Sequence, residues 1–193
     1  MTRRRETPFL VALLLAAAAA LFLAAAAGAE DTFGRLFPLR DQEKLKLEVP
    51  VSWFHEIRQD SAGAPQTILF KTRSPDSFLV LLTPIDPSRE TVAAASDASI
   101  RRQVEDSARK AERSSVEKKL EVMEIQGASG RGYYFFATDP SPRPGTWKYM
   151  TQGILRVGEL AVSFTILTNE GQNDVINDAL RMLRNAKHLK FAT

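Results

Sequence analysis

Two histidines and no cysteine set the limits of the chemistry this sequence can offer. His55 sits in the stretch Trp53–Arg58, where strand alternation puts Trp53, His55 and Ile57 on one face and Glu56 on the other. A hard-cation or surface zinc site would draw on His55 and a carboxylate from elsewhere in the chain. Catalytic and tight zinc sites use three or four ligands, with His or Cys at fixed spacing, and no such spacing occurs here. The competing role for His55 is a partly buried imidazole near a sheet edge. His188 falls at the end of a helical stretch, where it reads as a cation complementing the helix dipole.

The run Gly127–Gly132 resembles a nucleophile elbow around Ser129, but the glycine required two positions after the serine is replaced by Arg131. A strand follows where the elbow needs a helix, so the run reads as a glycine-rich turn between strands, and for the same reason it is no phosphate cradle. Asp139–Trp147 is a proline-rich connection. Arg143, Trp147 and nearby Tyr149 are residue types that dominate binding hot spots, and they are the candidate partner-binding residues. The plain alternative is a long hairpin whose Trp147 packs on the sheet. A second connection, Thr83–Ser96, carries Pro84, Asp86, Pro87 and Arg89 and is expected to line the same end. The charged stretch Arg101–Lys119 mixes signs throughout and pairs Glu105 with Arg109 at i,i+4, the pattern of a solvated helix face.

These residues must be carried by what remains after residues 1–29, which read as an export signal. Arg3, Arg4 and Arg5 form a basic start, Phe9–Ala27 is an unbroken apolar run, and Ala27 and Ala29 supply small residues at −3 and −1. Glu6 and Thr7 stand where a twin-arginine signal needs a hydrophobic pair, so the general secretory route is expected. Residues 9–27 are also long enough to serve as an uncleaved anchor. The expected location is periplasmic or extracellular, with N-terminal membrane anchoring as the alternative. Residues 30–193 hold 23 basic and 22 acidic side chains, so the chain's excess of positive charge belongs mostly to the export segment and a nucleic-acid role loses its support. The missing cysteine removes disulfides, thiolate catalysis and lipid attachment through a lipobox. Stability must come from a core, which a domain of this length can supply.

Residues 30–43 show no clean period and read as an N-terminal arm pinned by Phe33, Leu36 and Phe37; residues 44–193 read as a single domain. Strands are expected at Lys44–Val49, Trp53–Arg58, Gln66–Lys71, Ser77–Thr83, Lys118–Ile125, Gly132–Asp139, Thr146–Val157 and Leu160–Thr168. Phe78–Leu82 and Tyr133–Ala137 are apolar on both faces, which calls for cover on both sides of the sheet. Two amphipathic helices, Ser99–Arg113 and Asp174–Lys187, can supply it. Gly158 and Glu159 fit a two-residue hairpin turn with glycine first. Short turns between successive strands imply an antiparallel sheet, so the expected fold is an α/β/α sandwich with a helix on each face.

The opening Leu47–Trp53, the middle helix, the three strands with their Gly158 hairpin, and the last helix leading into Leu189–Phe191 resemble the PsbP-like (Mog/PsbP) superfamily across residues 44–193. The resemblance implies a PsbP-like domain of bacterial exported type that binds a protein partner and, in some members, metal ions, with no family-wide catalytic residue to carry over. The expectation is a non-catalytic, monomeric or weakly associating accessory domain that binds a protein or envelope component and has no resident cofactor. A metal- or small-ligand-binding protein using a divalent ion at His55 is the alternative, and a hydrolase without a recognisable motif is the third reading.

Overall fold

A computed structural model describes residues 30–59, 61–74, 77–87 and 96–190. The export segment, its alternative role as an anchor, and Arg89 lie outside the described residues. Among the described residues, ten strands and two longer helices follow in order: β1 Thr32–Pro38, β2 Lys44–Pro50, β3 Phe54–Arg58, β4 Thr67–Lys71, β5 Leu79–Ile85, α1 Asp97–Ala111, β6 Met123–Gly127, β7 Gly130–Thr138, β8 Tyr149–Val157, β9 Leu160–Thr168, α2 Asn173–Arg184 and β10 Lys187–Leu189. Seven strands form one antiparallel sheet in the order β3-β4-β5-β9-β8-β7-β6, and β1-β2-β10 form a second antiparallel sheet.

The large sheet has two differently covered faces. On one, α1 lays Ile100, Val104 and Ala108 onto Tyr133, Phe135 and Ala137. On the other, α2 and the three-stranded sheet share a layer. There Leu45, Leu47 and Val49 of β2 and Ala179, Leu180, Met182 and Leu183 of α2 meet Val80, Leu82, Leu155, Phe164 and Ile166. The sandwich is therefore α/β/α as expected, with the small sheet extending one helical layer. Full burial of each large apolar side chain in this core stabilises the fold by about 1.5–3 kcal/mol before entropy is counted.

The helix ends follow from local chemistry. Ser96 caps α1, its hydroxyl accepting from the Ser99 amide at 3.2 Å. The turn between β6 and β7 closes the end of α2, the Ala128 amide donating to the Arg184 carbonyl at 2.7 Å. That turn is Ala128–Ser129, flanked by the paired glycines Gly127 and Gly130, and is the strand-to-strand turn read from the sequence.

Four expectations are corrected. Residues 32–38 are no arm but strand β1, paired along its whole length with β2, and Asp31–Thr193 form one compact unit. Its apolar period is hidden because β1 is an edge strand: Phe37 is buried, whereas Phe33 and Leu36 remain 40% and 51% exposed. The last helix stops at Arg184, and Lys187–Leu189 pair with β2. His188 is thus a strand residue whose Nε2 lies 3.0 Å from Glu43 Oε2, not a residue of the helix end. The strand expected from Lys118 begins only at Met123. Before it, the Leu120 amide donates to Glu112 Oε1 at 3.0 Å, so side-chain bonds replace a ladder. Finally, Phe78, Val80 and Leu82 are buried but Leu79 and Leu81 only half so, because α1 covers β7 and β8 and not β5.

Candidate partner-binding cleft

The connection from β7 to β8 braces itself. The Ser141 amide donates to Asp139 Oδ1 at 2.8 Å, and the Arg143 carbonyl accepts from the Thr146 amide at 2.9 Å and its hydroxyl at 2.8 Å. Gly145 has φ +79°, a left-handed conformation that favours glycine. Across the base, the Asp139 amide donates to the Lys148 carbonyl at 2.8 Å. Pro140, Pro142 and Pro144 lack amide donors, which keeps the segment from extending the ladder.

This loop meets the start of α2 through one short chain of bonds. The Lys148 amide donates to Asn169 Oδ1 at 3.0 Å, and the Asn169 amide donates to Gln172 Oε1 at 2.7 Å. The Lys148 ammonium pairs with Glu170 and lies 5.4 Å from the centre of the Tyr149 ring. At the other strand, Glu117 holds Thr138: Oε2 accepts from the amide at 3.0 Å and Oε1 from the hydroxyl at 2.6 Å. Burial pushes the Glu117 carboxyl up, but the bonds from Thr138 and from its own amide outweigh it and hold the group below its ordinary value.

Between these fixed points lies an open cleft of about 470 Å³, lined by Phe136, Ala137, Thr138, Tyr149, Met150, Asn173, Ile176 and Asn177. Phe136 is 40% exposed and stands edge-on to Tyr134, the ring centres 5.4 Å apart. The lining is apolar and aromatic, with a phenol, a hydroxyl and two amides, and no carboxylate or imidazole. Such a surface recognises apolar groups and directs a few hydrogen bonds; it supplies no acid–base pair.

Of the three sequence candidates, only Tyr149 lines the cleft. Arg143 is exposed on the loop. Trp147 is half-buried, its indole Nε1 shielded from solvent without a hydrogen-bond partner. Phe136 escaped notice because Tyr133–Ala137 reads as core; Asn173 and Asn177, four apart on α2, look like an ordinary polar helix face.

His55 lies elsewhere, on β3 beneath β1. Its Nδ1 is 3.0 Å from an Arg35 guanidinium nitrogen, and its ring stands edge-on to Phe37 at 5.1 Å. A guanidinium thus occupies one ring nitrogen, and among the described residues no group of three or more His, Asp or Glu side chains is placed to hold a metal ion. A smaller cavity of about 80 Å³ opens between the β1–β2 connection and the ends of β4, β5 and β9, with Leu39, Pro65, Pro84 and Leu160 as walls and Arg40, Glu43 and Asp86 on its lining.

The fold and the cleft define an antiparallel α/β sandwich with an open, largely apolar cleft at one end of its large sheet. No protein-family profile matches the sequence, and no curated protein matches it significantly. Among solved structures the chain is similar to LpqN of Mycobacterium tuberculosis, which is involved in cell envelope biogenesis. Identity is 8%, the TM-score 0.51, and the match covers 89% of this chain and 96% of LpqN; the likeness is one of fold. The PsbP protein CyanoP from Synechocystis is also similar, at 10% identity and a TM-score of 0.42 over 82% of this chain and 92% of that one. A Bacteroides thetaiotaomicron protein matches at 15% identity and a TM-score of 0.43 over 76% of this chain, which spans only 45% of that protein. Among the described residues no helix is long and apolar enough to cross a membrane.

Proposed function

We propose that this chain is an exported, non-catalytic accessory domain that binds a protein or envelope component through the cleft between β7, β8 and the start of α2. The carrying observation is the exposed Phe136 beside Tyr149, on a surface held in place by Glu117 on one side and Asn169 on the other. A rigid aromatic floor loses little entropy on binding, which suits it to a partner. Arg143 and Trp147 stand outside the lining, on the connection that leads into Tyr149, and are assigned to a partner large enough to extend beyond the cleft. Export rests on the sequence of residues 1–29, and LpqN, a protein of the same fold, belongs to envelope biogenesis.

The test is cross-linking in the native host followed by native mass spectrometry of the full chain. Phe136→Ala, Tyr149→Ala and the double variant Arg143→Ala/Trp147→Ala should each lose the cross-linked partner while circular dichroism stays unchanged. Val51→Ser, a change at an exposed apolar residue in the turn between β2 and β3, should keep it. Undiminished capture by Phe136→Ala and Tyr149→Ala would sink the assignment. The cavity beside Leu39 favours a second reading, small-ligand binding; a chain that carries only a small adduct in the same spectrum would support it instead.

A further inference from the structure

The two sheets meet at a polar contact in an apolar setting. Arg35 of β1 reaches over β3, and its guanidinium donates to His55 Nδ1 at 3.0 Å. That bond requires the neutral imidazole with its proton on Nε2, because a protonated ring has no lone pair to offer at Nδ1. The half-buried ring is flanked by Phe37 at 5.1 Å and Phe70 at 6.4 Å. Arg35 stacks 4.2 Å above Phe33, and its Nε is shielded without a partner, so few other contacts hold it.

We propose that the Arg35–His55 bond is a proton-operated clasp: it holds the outer part of β1 against the large sheet while the imidazole is neutral, and it releases Thr32–Arg35 when the imidazole is protonated. Protonation removes the acceptor and sets two cations against each other. Among the described residues, the strands packed against the ring turn no carboxylate towards it. The β2 residues turned towards the large sheet are Leu45, Leu47 and Val49, while Lys44, Lys46 and Glu48 alternate to the outer face. On β4 the residue paired with His55 is Phe70, and Lys71 lies on the opposite face, bonded to Glu56. On β3 itself, Glu56 and Arg58 also face away and pair with each other at 2.9 Å. Arg35 is therefore the charged group that faces the ring among the described residues.

Burial first, and the Arg35 charge second, hold His55 below the ordinary histidine value of 6.5. A group held lower in the fold than in the unfolded chain contributes stability above its unfolded value and loses it as pH falls through the folded one. The clasp is thus closed at neutral pH and opens in mild acid.

Amide hydrogen exchange of the full chain, read by NMR and corrected for intrinsic rates, tests this. Between about pH 7.5 and about pH 5, protection of the β1 amides should fall roughly threefold or more, with β8 and β9 unchanged. His55→Gln, uncharged at both pH values, should show no such fall. Unchanged protection in the parent would overturn the clasp, and so would an equal fall in His55→Gln. Should that variant not fold, the parent decides alone. The chain has two histidines, so both imidazole titrations can be followed, and loss of β1 protection must share its midpoint with His55. A midpoint that tracks His188 or neither ring refutes the proposal.

Discussion

Replacing Glu117 by glutamine removes one charge from a side chain that holds the cleft wall, and the structure sets the size of the effect. The carboxylate accepts from both the amide and the hydroxyl of Thr138, at 3.0 and 2.6 Å, while the Val116 amide donates to the Thr138 carbonyl at 2.9 Å. Hydrogen bonds to charged acceptors contribute about 1.5–3 kcal/mol each when well shielded. Glu117 is only half-buried, so solvent screening discounts the pair, and glutamine keeps one acceptor oxygen. The expected loss at neutral pH is about 1 kcal/mol, or roughly 2–4 °C in melting temperature for a domain of this size. The pH dependence is the sharper readout. The folded carboxyl lies below its ordinary value of 4.5, so its contribution is complete above that pH and is lost as pH falls through the folded value. Urea unfolding of parent and Glu117→Gln should therefore differ at pH 7 and converge towards about pH 3. A difference that stays constant across that range would show that the bonds to Thr138 act through shape and not through charge. No difference at pH 7 would remove Glu117 from the account of the cleft altogether.

Two further outcomes follow from the packing. At Gly153, a Cβ would lie 2.4 Å from the Tyr133 carbonyl oxygen and 2.5 Å from the Tyr134 Cβ, so Gly153→Ala should cost about 3 kcal/mol or more in urea unfolding; a change below about 1 kcal/mol would contradict the close approach of β7 and β8. Titration of the parent and of His55→Ala with Zn²⁺, Mn²⁺ and Ca²⁺ by calorimetry should give equally flat traces, because Arg35 already occupies Nδ1; heat in the parent that is lost in His55→Ala would support the metal-binding alternative.

The parts of the fold legible in the sequence are those whose pattern is set by one-sided burial. Strand β8 alternates buried and half-buried residues along most of its length, and β9 begins at the expected residue and ends at the expected residue. What stayed hidden depends on partners distant in sequence. β10 has three residues, too few to show a period, and is a strand only because β2 offers it an edge. β1 looks irregular because its cover is uneven along the strand. His55 was visible as a histidine on a strand, but its partner Arg35 stands 20 residues upstream on another sheet. Tyr149 could be singled out by residue type and position after a proline-rich loop. Phe136 could not, since a phenylalanine within Tyr133–Ala137 reads as core until the start of α2 is seen to leave it uncovered.

The exposure of Phe136 is itself a consequence of the core. Gly153 of β8 lies opposite Tyr134 of β7, and the missing side chain gives room to Tyr134 and to the tip of Phe164. Tyr134, tilted against Phe164 with ring centres 6.5 Å apart, presents its ring edge-on to Phe136. Phe136 comes next on the same face, two residues nearer the open end, and the aromatic pair beneath it leaves its ring projecting where β7 outruns its cover. Thr138, two residues further, is fixed by Glu117. The order Tyr134, Phe136, Thr138 therefore runs from packed core through exposed aromatic to anchored strand end. A core change that tilts Tyr134 should alter the cleft as surely as a change in the cleft itself, so the shape of the cleft and the stability of the fold are coupled through β7 and cannot be read from surface residues alone.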